Sequence, residues 1–368
     1  MKSRLFVVNQ ASLYSTITNN EVSIIIPQLN GAEWEKTVAD IMADMLQIEI
    51  GDYIFLWETR SATSKSKIHG VYRAISRPFY CCNSNNDNAP FKIKIEKAYD
   101  FVNPIEEYDF LNCPYIKGNL WTVIGKKVAG KARGTSPLSI EESKYLITML
   151  IGKNPNYKYY PLIKSNVVNV ANPLSINYSL NHNNSPTTIA FLNPNNLSFF
   201  KSNYAIRYEK MLETIFNYEM TNKNQVFFNQ LGIDVDKTIW YSNYLPYSIE
   251  QSEMDYVIIQ SEDGFTISDI YVLEFMIQPV DEDHIHRCLL YSKWVNETLT
   301  LGQCIVHPIL ICKSCVDFIN GESSPSKISK LNKLKNSINK YLIQYNVNDI
   351  KIFEYKFNGS IPSFIRKK

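Results

Sequence analysis

The chain has 368 residues, a formal net charge of +2, 45% hydrophobic and 20% charged residues. That length exceeds what one core ordinarily serves, so two domains are expected, and the ordinary hydrophobic content fits a soluble globular protein. The near-neutral charge excludes a global field that draws the chain onto nucleic acid or a membrane, so any basic surface must be a local patch. From the N-terminus, LFVVN (5–9) and VSIIIP (22–27) read as strands, WEKTVADIMADML (34–46) as a helix, and IEIGDYIFLWE (48–58) as a strand entered through a Gly-Asp turn. KIHGVYRAIS (67–76) and FKIKIEKAYDF (91–101) alternate as further strands. LSIEESKYLITMLIG (138–152) is a helix with Ser139 as its cap and Glu141 and Glu142 in its first turn.

Residues 153–203 are rich in Asn, Ser and Pro without sustained periodicity and read as an irregular connection. Beyond it come a helix over 204–220, a strand at 239–248, a hairpin across MDYVIIQSEDGFTISDIYVLEFMI (254–277) and a helix over 281–299. A buried strand at 304–313, a basic amphipathic helix at 326–345 and an alternating strand at 349–357 complete the pattern. The resulting division is 1–158, a connection at 159–200, and 201–368. No Walker-type or dinucleotide-binding glycine pattern occurs.

The hairpin carries two acids, Asp255 at the head of its first strand and Glu274 within its second. Carboxylates on neighbouring strands can hold the divalent cation that phosphodiester hydrolysis uses. Strand alternation puts the residue two places after Glu274 on the same face, and that residue is Met276. The ordinary alternative is that Asp255 ends a strand and Glu274 pairs with a buried base.

This order of elements resembles the PD-(D/E)XK nucleases, in which a helix acid precedes a hairpin bearing Asp and then Glu-x-Lys. The resemblance implies Glu209 or Glu213 as the helix acid, Asp255 and Glu274 as ligands of Mg²⁺ or Mn²⁺, and a lysine where this chain has Met276. His286, Arg287 and Lys293 on the following helix are the candidate substitutes. RCLLYSKWV (287–295) is similar to the Gln-Leu-x-x-Tyr pattern of one nuclease branch, with Arg287 in the Gln position.

The first block, GDYIFLWETRSATSKSKIHGVYRAIS, resembles the PUA-like group, specifically its EVE and YTH-like domains, in its Gly-Asp turn and its return strand His69-Gly70-Val71-Tyr72. The resemblance implies a modified or flipped base held in an aromatic pocket by stacking and edge hydrogen bonds. Trp57, Tyr72, Trp34 and Trp121 are the pocket candidates, although a Trp in a small domain ordinarily packs in the core. LWTVIGKKVAGKARGTSPLS (120–139) sets Lys126, Lys127, Lys131 and Arg133 among glycines ahead of a helix N-terminus, a phosphate-contacting pattern.

Other signals are weaker. CKSC (312–315) lacks two further zinc ligands, the His284 and His286 cluster after DED follows ordinary helix-start charge, and the lysines of 326–345 suit a solvated face. The seven cysteines suggest reduced intracellular thiols, and no apolar run or leader pattern suggests a membrane span or signal peptide. The combined expectation is an α+β and α/β two-domain protein: a PUA-like small β-barrel with helices, then a PD-(D/E)XK-like mixed sheet flanked by helices. Together the resemblances imply a prokaryotic cytoplasmic, modification-dependent DNA endonuclease that acts as a homodimer. The alternatives are a nuclease fold that binds modified DNA without cutting, and an RNA-binding or RNA-processing factor.

Overall fold

The structure, a computed structural model, describes residues 2–25, 31–60, 65–82, 89–111, 122, 134–168, 188–191, 194, 205–246, 253–300, 302–358 and 361–368. Its described residues fall into two compact units, one up to residue 198 and one from residue 199 onward. No helix among them is long and apolar enough to cross a membrane.

The first unit runs β1 (Ser3–Val8), α1 (Gln10–Asn19), β2 (Glu21–Ile24), α2 (Gly31–Leu46), β3 (Tyr53–Glu58), β4 (Lys67–Ala74), β5 (Phe79–Cys82) and β6 (Phe91–Lys97). β7 (Ile105–Glu106), α3 (Glu107–Leu111), β8 (Thr135–Leu138), α4 (Ile140–Lys153) and β9 (Thr188–Phe191) follow. The strands form one sheet in the order β8-β1-β3-β4-β6-β5-β9, with β2 added on β6 and β7 on β4. β1 and β3 are parallel, whereas β4 pairs antiparallel with β3 along most of its length and with β7 and β6 at its two ends. Such changes of partner bend a sheet round its core.

Leu5, Phe55, Trp57, Ile68, Val71, Leu146 and Leu150 fill that core beneath α4. The glycines of the Gly-Asp turn and the return strand have distinct tasks. Gly51 turns the chain at φ +98°, and Gly70 sits at φ +37° where the β3–β4 register slips by one residue. A Cβ on Gly70 would approach the Tyr72 ring to 3.1 Å, so the bulge and the ring share one space.

Ser139 caps α4 in a full capping box, accepting from the Glu142 amide while Glu142 accepts from the Ser139 amide. Within the stretch expected to be irregular, Tyr159 bridges to Tyr99 and β9 pairs with β5. The buried Arg73 anchors this segment by donating to the Tyr160 carbonyl at 2.9 Å while lying over the Tyr53 and Tyr159 rings. Sequence periodicity missed both features because the anchor lies on a distant strand.

The second unit runs α5 (Glu209–Thr221), α6 (Gln225–Asn229), β10 (Thr238–Pro246), β11 (Glu253–Ser261), β12 (Ile267–Phe275), α7 (Glu282–Thr298), β13 (Ile305–Cys312), α8 (Pro325–Tyr345), β14 (Lys351–Lys356) and β15 (Ser363–Arg366). Its sheet has the order β10-β11-β12-β13-β14-β15. β10 to β12 form an antiparallel meander, β12, β13 and β14 are mutually parallel through the helical crossovers α7 and α8, and β15 returns antiparallel.

Both faces of this sheet are covered, which is why β11 and β12 read as continuous apolar runs. On one face Phe216 of α5 meets Phe227, Tyr256, Phe275 and Phe364. On the other, Met276 and Leu310 pack with Leu289 of α7 and Leu331 and Leu334 of α8. Asp263 closes the hairpin by accepting from the amides of Phe265 and Thr266, and Gly264 supplies the turn at φ +79°.

Candidate functional site

The β11–β12 register sets the site. Tyr256 lies opposite Leu273, so the next step along the ladder brings Asp255 alongside Glu274. The Phe275 amide donates to Asp255 Oδ2 at 2.8 Å. Both acids stand at the carboxyl end of β12, the end of parallel strands where open α/β sheets gather ligands. Glu274 shares a face with Met276 and Leu310, under α7, where Arg287 Nη2 reaches Glu274 Oε1 at 2.6 Å.

α5 supplies the rest. Glu213 is fully buried, with Oε1 2.6 Å from Lys210 Nζ and Oε2 accepting from Asn243 Nδ2 at 3.0 Å. Glu209 is exposed at the start of the same helix. Both helix acids left open by the sequence act on the pair: Glu213 is buried beside it, and the charge of the exposed Glu209 also helps to raise Asp255 and Glu274.

Burial pushes all three inner carboxyls up. Asp255 rises to about 6, chiefly through desolvation and against the lowering pull of Lys210. Glu274 is raised well above its ordinary value by desolvation and then by the Asp255 charge, and Glu213 is raised by desolvation against Lys210. Glu274 Oε2 is buried and has no hydrogen-bond partner among the described residues. A carboxylate oxygen left in that state costs stability unless a cation meets it.

Among the described residues, no three His, Cys, Asp or Glu side chains are arranged to hold a metal on protein ligands alone. Mg²⁺ ordinarily takes one or two carboxylates and completes its shell with water and phosphate oxygens. Asp255 and the orphaned Glu274 oxygen fit that donor chemistry. A divalent ion bound there would polarise a phosphate oxygen and acidify a bound water.

Met276 is 1% exposed within the α7–α8 core and offers no charge. Of its three expected substitutes, only Arg287 reaches the acids. His286 Nε2 is hydrogen-bonded to the Tyr345 hydroxyl at 2.5 Å, and Lys293 lies over the Tyr345 ring and 3.8 Å from Glu297. Lys293, expected as a site residue, is turned by its helical position toward α8 in this structure. Lys210 is the basic residue that sequence reading missed. Its signal was the i,i+3 spacing to Glu213, which places both on one helix face.

In the first unit, Trp57 is 6% exposed and packs in the core, and Tyr72 is equally buried against the Gly70 bulge. Expected as base contacts, both rings are buried in this structure and neither is an open stacking platform. Core packing claimed both because the β3–β4 hairpin turns them inward. Trp34 is half-buried on α2. Trp121, Lys126, Lys127, Lys131 and Arg133 lie outside the described residues. The α4 N-terminus that they precede is engaged by its own Ser139 and by Thr122, whose amide and hydroxyl donate to Glu142.

No family model matches this chain, and no curated protein matches it. Solved structures similar to it include a hypothetical protein from Leishmania major, at 8% identity and a TM-score of 0.30 over 42% of this chain and 97% of that one. Human THYN1 in complex with 5-methylcytosine-containing DNA is similar at 9% identity and a TM-score of 0.28, over 41% of this chain and 98% of that one. The YTH domain of Zygosaccharomyces rouxii MRB1, in complex with N6-methyladenosine RNA, reaches 15% identity and a TM-score of 0.25 over 40% and 86%. Likeness of this degree carries no weight for function.

Proposed function

We propose that the second unit is a metal-dependent phosphodiesterase site acting on DNA, and that the first unit reads a modified base. The observation that carries the catalytic half is the convergence of Glu213, Asp255 and Glu274 with Lys210 and Arg287, leaving Glu274 Oε2 unpartnered. The element order around the acids supports the reading: a helix, a three-strand meander, a crossover helix and a strand parallel to the third. That is the order the PD-(D/E)XK resemblance requires. Asp255 and Glu274 would hold Mg²⁺ or Mn²⁺, while Lys210 and Arg287 supply the positive charge that Met276 does not.

For the first unit the reading rests on the Gly51-Asp52 turn and the bulged return strand at Gly70, the features of the EVE and YTH-like resemblance. With Trp57 and Tyr72 packed inside, Trp34 remains the described aromatic candidate.

The test is incubation with DNA duplexes carrying methylated cytosine, methylated adenine or no modification, in Mg²⁺ or Mn²⁺, beside an Asp255→Asn, Glu274→Gln double variant. Cutting by the wild type that vanishes in the double variant supports the reading, and cutting that survives it removes the site. A second reading, binding without cleavage, is favoured by Met276 lying in the core and by Arg287 already occupying Glu274. Tight binding of modified duplex without cutting under any metal would select it, and preference for methylated RNA would move the substrate class.

A further inference from the structure

We infer that the exposed lysine face of α8 is a docking surface for the phosphate backbone of a DNA duplex. The inference deepens the reading of the second unit as a site acting on DNA, and its test needs neither cleavage nor metal. α8 carries five lysines and no acid in 21 residues, whereas the whole chain has a net charge of only +2. A positive surface on such a chain is local, and this helix concentrates it.

Helical rotation sorts the residues of α8. Leu331, Leu334, Ile338 and Tyr345 turn inward to the core shared with α7. Lys330, Lys333 and Lys340 stand on one exposed flank, with the exposed Ser329 and Asn336 beside them. Lys330 and Lys333 have no ion pair among the described residues, and Lys340 lies over the Tyr341 ring at 4.7 Å. A helix shaped by stability alone sets acids three or four places from its lysines, as α4 pairs Lys144 with Glu141. α8 instead places Lys327, Lys330 and Lys333 at successive i,i+3 positions. Lys327 has Glu322 at 3.6 Å, but like charges repel along the row, and its amino-terminal turns are where the helix dipole disfavours cations. An external anion reverses both penalties.

The length and chemistry of the row decide the occupant. From Lys330 to Lys340 it extends about 15 Å at 1.5 Å per residue, too far for one small anion. A duplex offers one negative charge per about 1.7 Å of its axis, so the row meets several phosphates at once. The neighbouring Ser and Asn side chains are, with lysine, ordinary donors to phosphate and sugar oxygens. A lipid surface suits the helix less, because interfacial helices bury an apolar face that α8 has already committed to the core. The face also connects to the acids through α7. Tyr341, next to Lys340, donates to Glu282 at 3.1 Å and its ring lies against His286, the neighbour of Arg287.

The test is binding of an unmodified DNA duplex to the full chain carrying Asp255→Asn and Glu274→Gln, in chelator, by fluorescence anisotropy over a range of salt. Adding Lys330→Gln, Lys333→Gln and Lys340→Gln is expected to weaken binding at low salt by at least about ten-fold. The slope of log affinity against log salt should fall by between about 2 and 3, roughly 0.9 for each lysine. A control set, Lys97→Gln, Lys144→Gln and Lys237→Gln, removes the same charge from exposed lysines that are already ion-paired, and should change neither quantity. Circular dichroism and thermal melting check each protein, and the single α8 changes, each lowering the slope by about 0.9, stand in should the triple variant fold poorly. An unchanged slope in the folded α8 variants overturns the docking face. So do equal losses in the two triple sets, which would make the attraction one of net charge, and lysine-dependent capture by phosphatidylglycerol vesicles without duplex binding. Duplex binding that depends on the α8 lysines, in a chain whose wild type cuts no DNA under any metal, upholds the docking face and removes only the cleavage reading.

Discussion

Two buried carboxylates, one in each unit, show opposite uses of the same group. Asp52 follows the Gly51 turn and is 5% exposed, and its Oδ1 and Oδ2 accept from the amides of Lys2 and Glu49 at 3.0 and 2.9 Å. The Lys2 ammonium stands 3.9 Å away. Glu274 is more deeply buried, accepts from Arg287 alone, and retains an oxygen without a partner. Burial raises both acids, but at Asp52 the opposing influences are a lysine and two backbone donors, whereas at Glu274 the second influence is another acid, Asp255, which raises it further. A carboxylate completed by its own backbone is a fastener. One left incomplete beside like charge lacks that compensation.

The largest effect that tests this contrast is on cleavage. Glu274→Gln removes one of two proposed metal ligands and should lower Mg²⁺-dependent cutting of duplex DNA by about 1,000-fold, of the order seen when a transition-state electrostatic contact is lost. Its thermal unfolding should stay near that of wild type, since the lost charge was poorly compensated. A large fall in melting temperature with cleavage intact would make Glu274 a fastener like Asp52.

Asp52→Ala supplies the reciprocal case. It leaves the Lys2 and Glu49 amides without their acceptor while the Lys2 ammonium keeps Glu49 and the Gln47 carbonyl, and should destabilise the first unit by about 2 kcal/mol in denaturant titration. Mn²⁺ affinity should not change.

The next contrast is in pH. Asp255 has its carboxyl raised to about 6, above the ordinary unfolded carboxylate near 4. A raised acid contributes stability that is fully present below the unfolded pKa and lost as pH rises through the folded one. In chelator, the stability of wild type relative to Asp255→Asn should therefore fall between about pH 4 and pH 6. The fall should reach about 2 kcal/mol after allowing for the partial exposure of the side chain. Mn²⁺ above pH 6 should restore the difference, because a cation favours the ionised form. A flat difference across this range would show that the folded chain does not raise the Asp255 carboxyl.

Local features of the chain were legible before the fold. The capping box at Ser139 and Glu142, the Asp263-Gly264 turn and the strand alternation each depend on residues a few places apart. The helix α1 carried a comparable signal in Asn9 and Ser12, whose reciprocal cap bonds start it, but its polar run QASLYSTITN gave no apolar stripe. The acids Asp255 and Glu274 were readable because one hairpin carries both. Which basic residue serves them was not, because Lys210 comes from a helix on the opposite face of the sheet and Arg287 from a crossover helix. The burial of Trp57 and Tyr72 was not readable for a related reason: a one-residue slip falls near Gly70, and alternation alone does not locate a bulge.

The smallest expected effect separates two basic residues of one helix. Arg287 and Lys293 are six positions apart on α7, about 600° of helical rotation, so they point in different directions. Lys293 is 3.8 Å from Glu297 one turn on, and both are substantially exposed at the side chain, 37% and 63%. An i,i+4 pair in that setting contributes a few tenths of a kcal/mol at most, and its position over the Tyr345 ring adds little more at an exposed site. Lys293→Ala should leave cleavage, Mn²⁺ affinity and the pH profile unchanged and shift the melting temperature by about a degree, scaling with so small an energy in a chain of this size. A loss of cutting in Lys293→Ala with Mn²⁺ binding intact would mean that the lysine leaves Tyr345 to meet substrate. The division of labour on α7, Arg287 toward the acids and Lys293 toward α8, would then describe only the ligand-free chain.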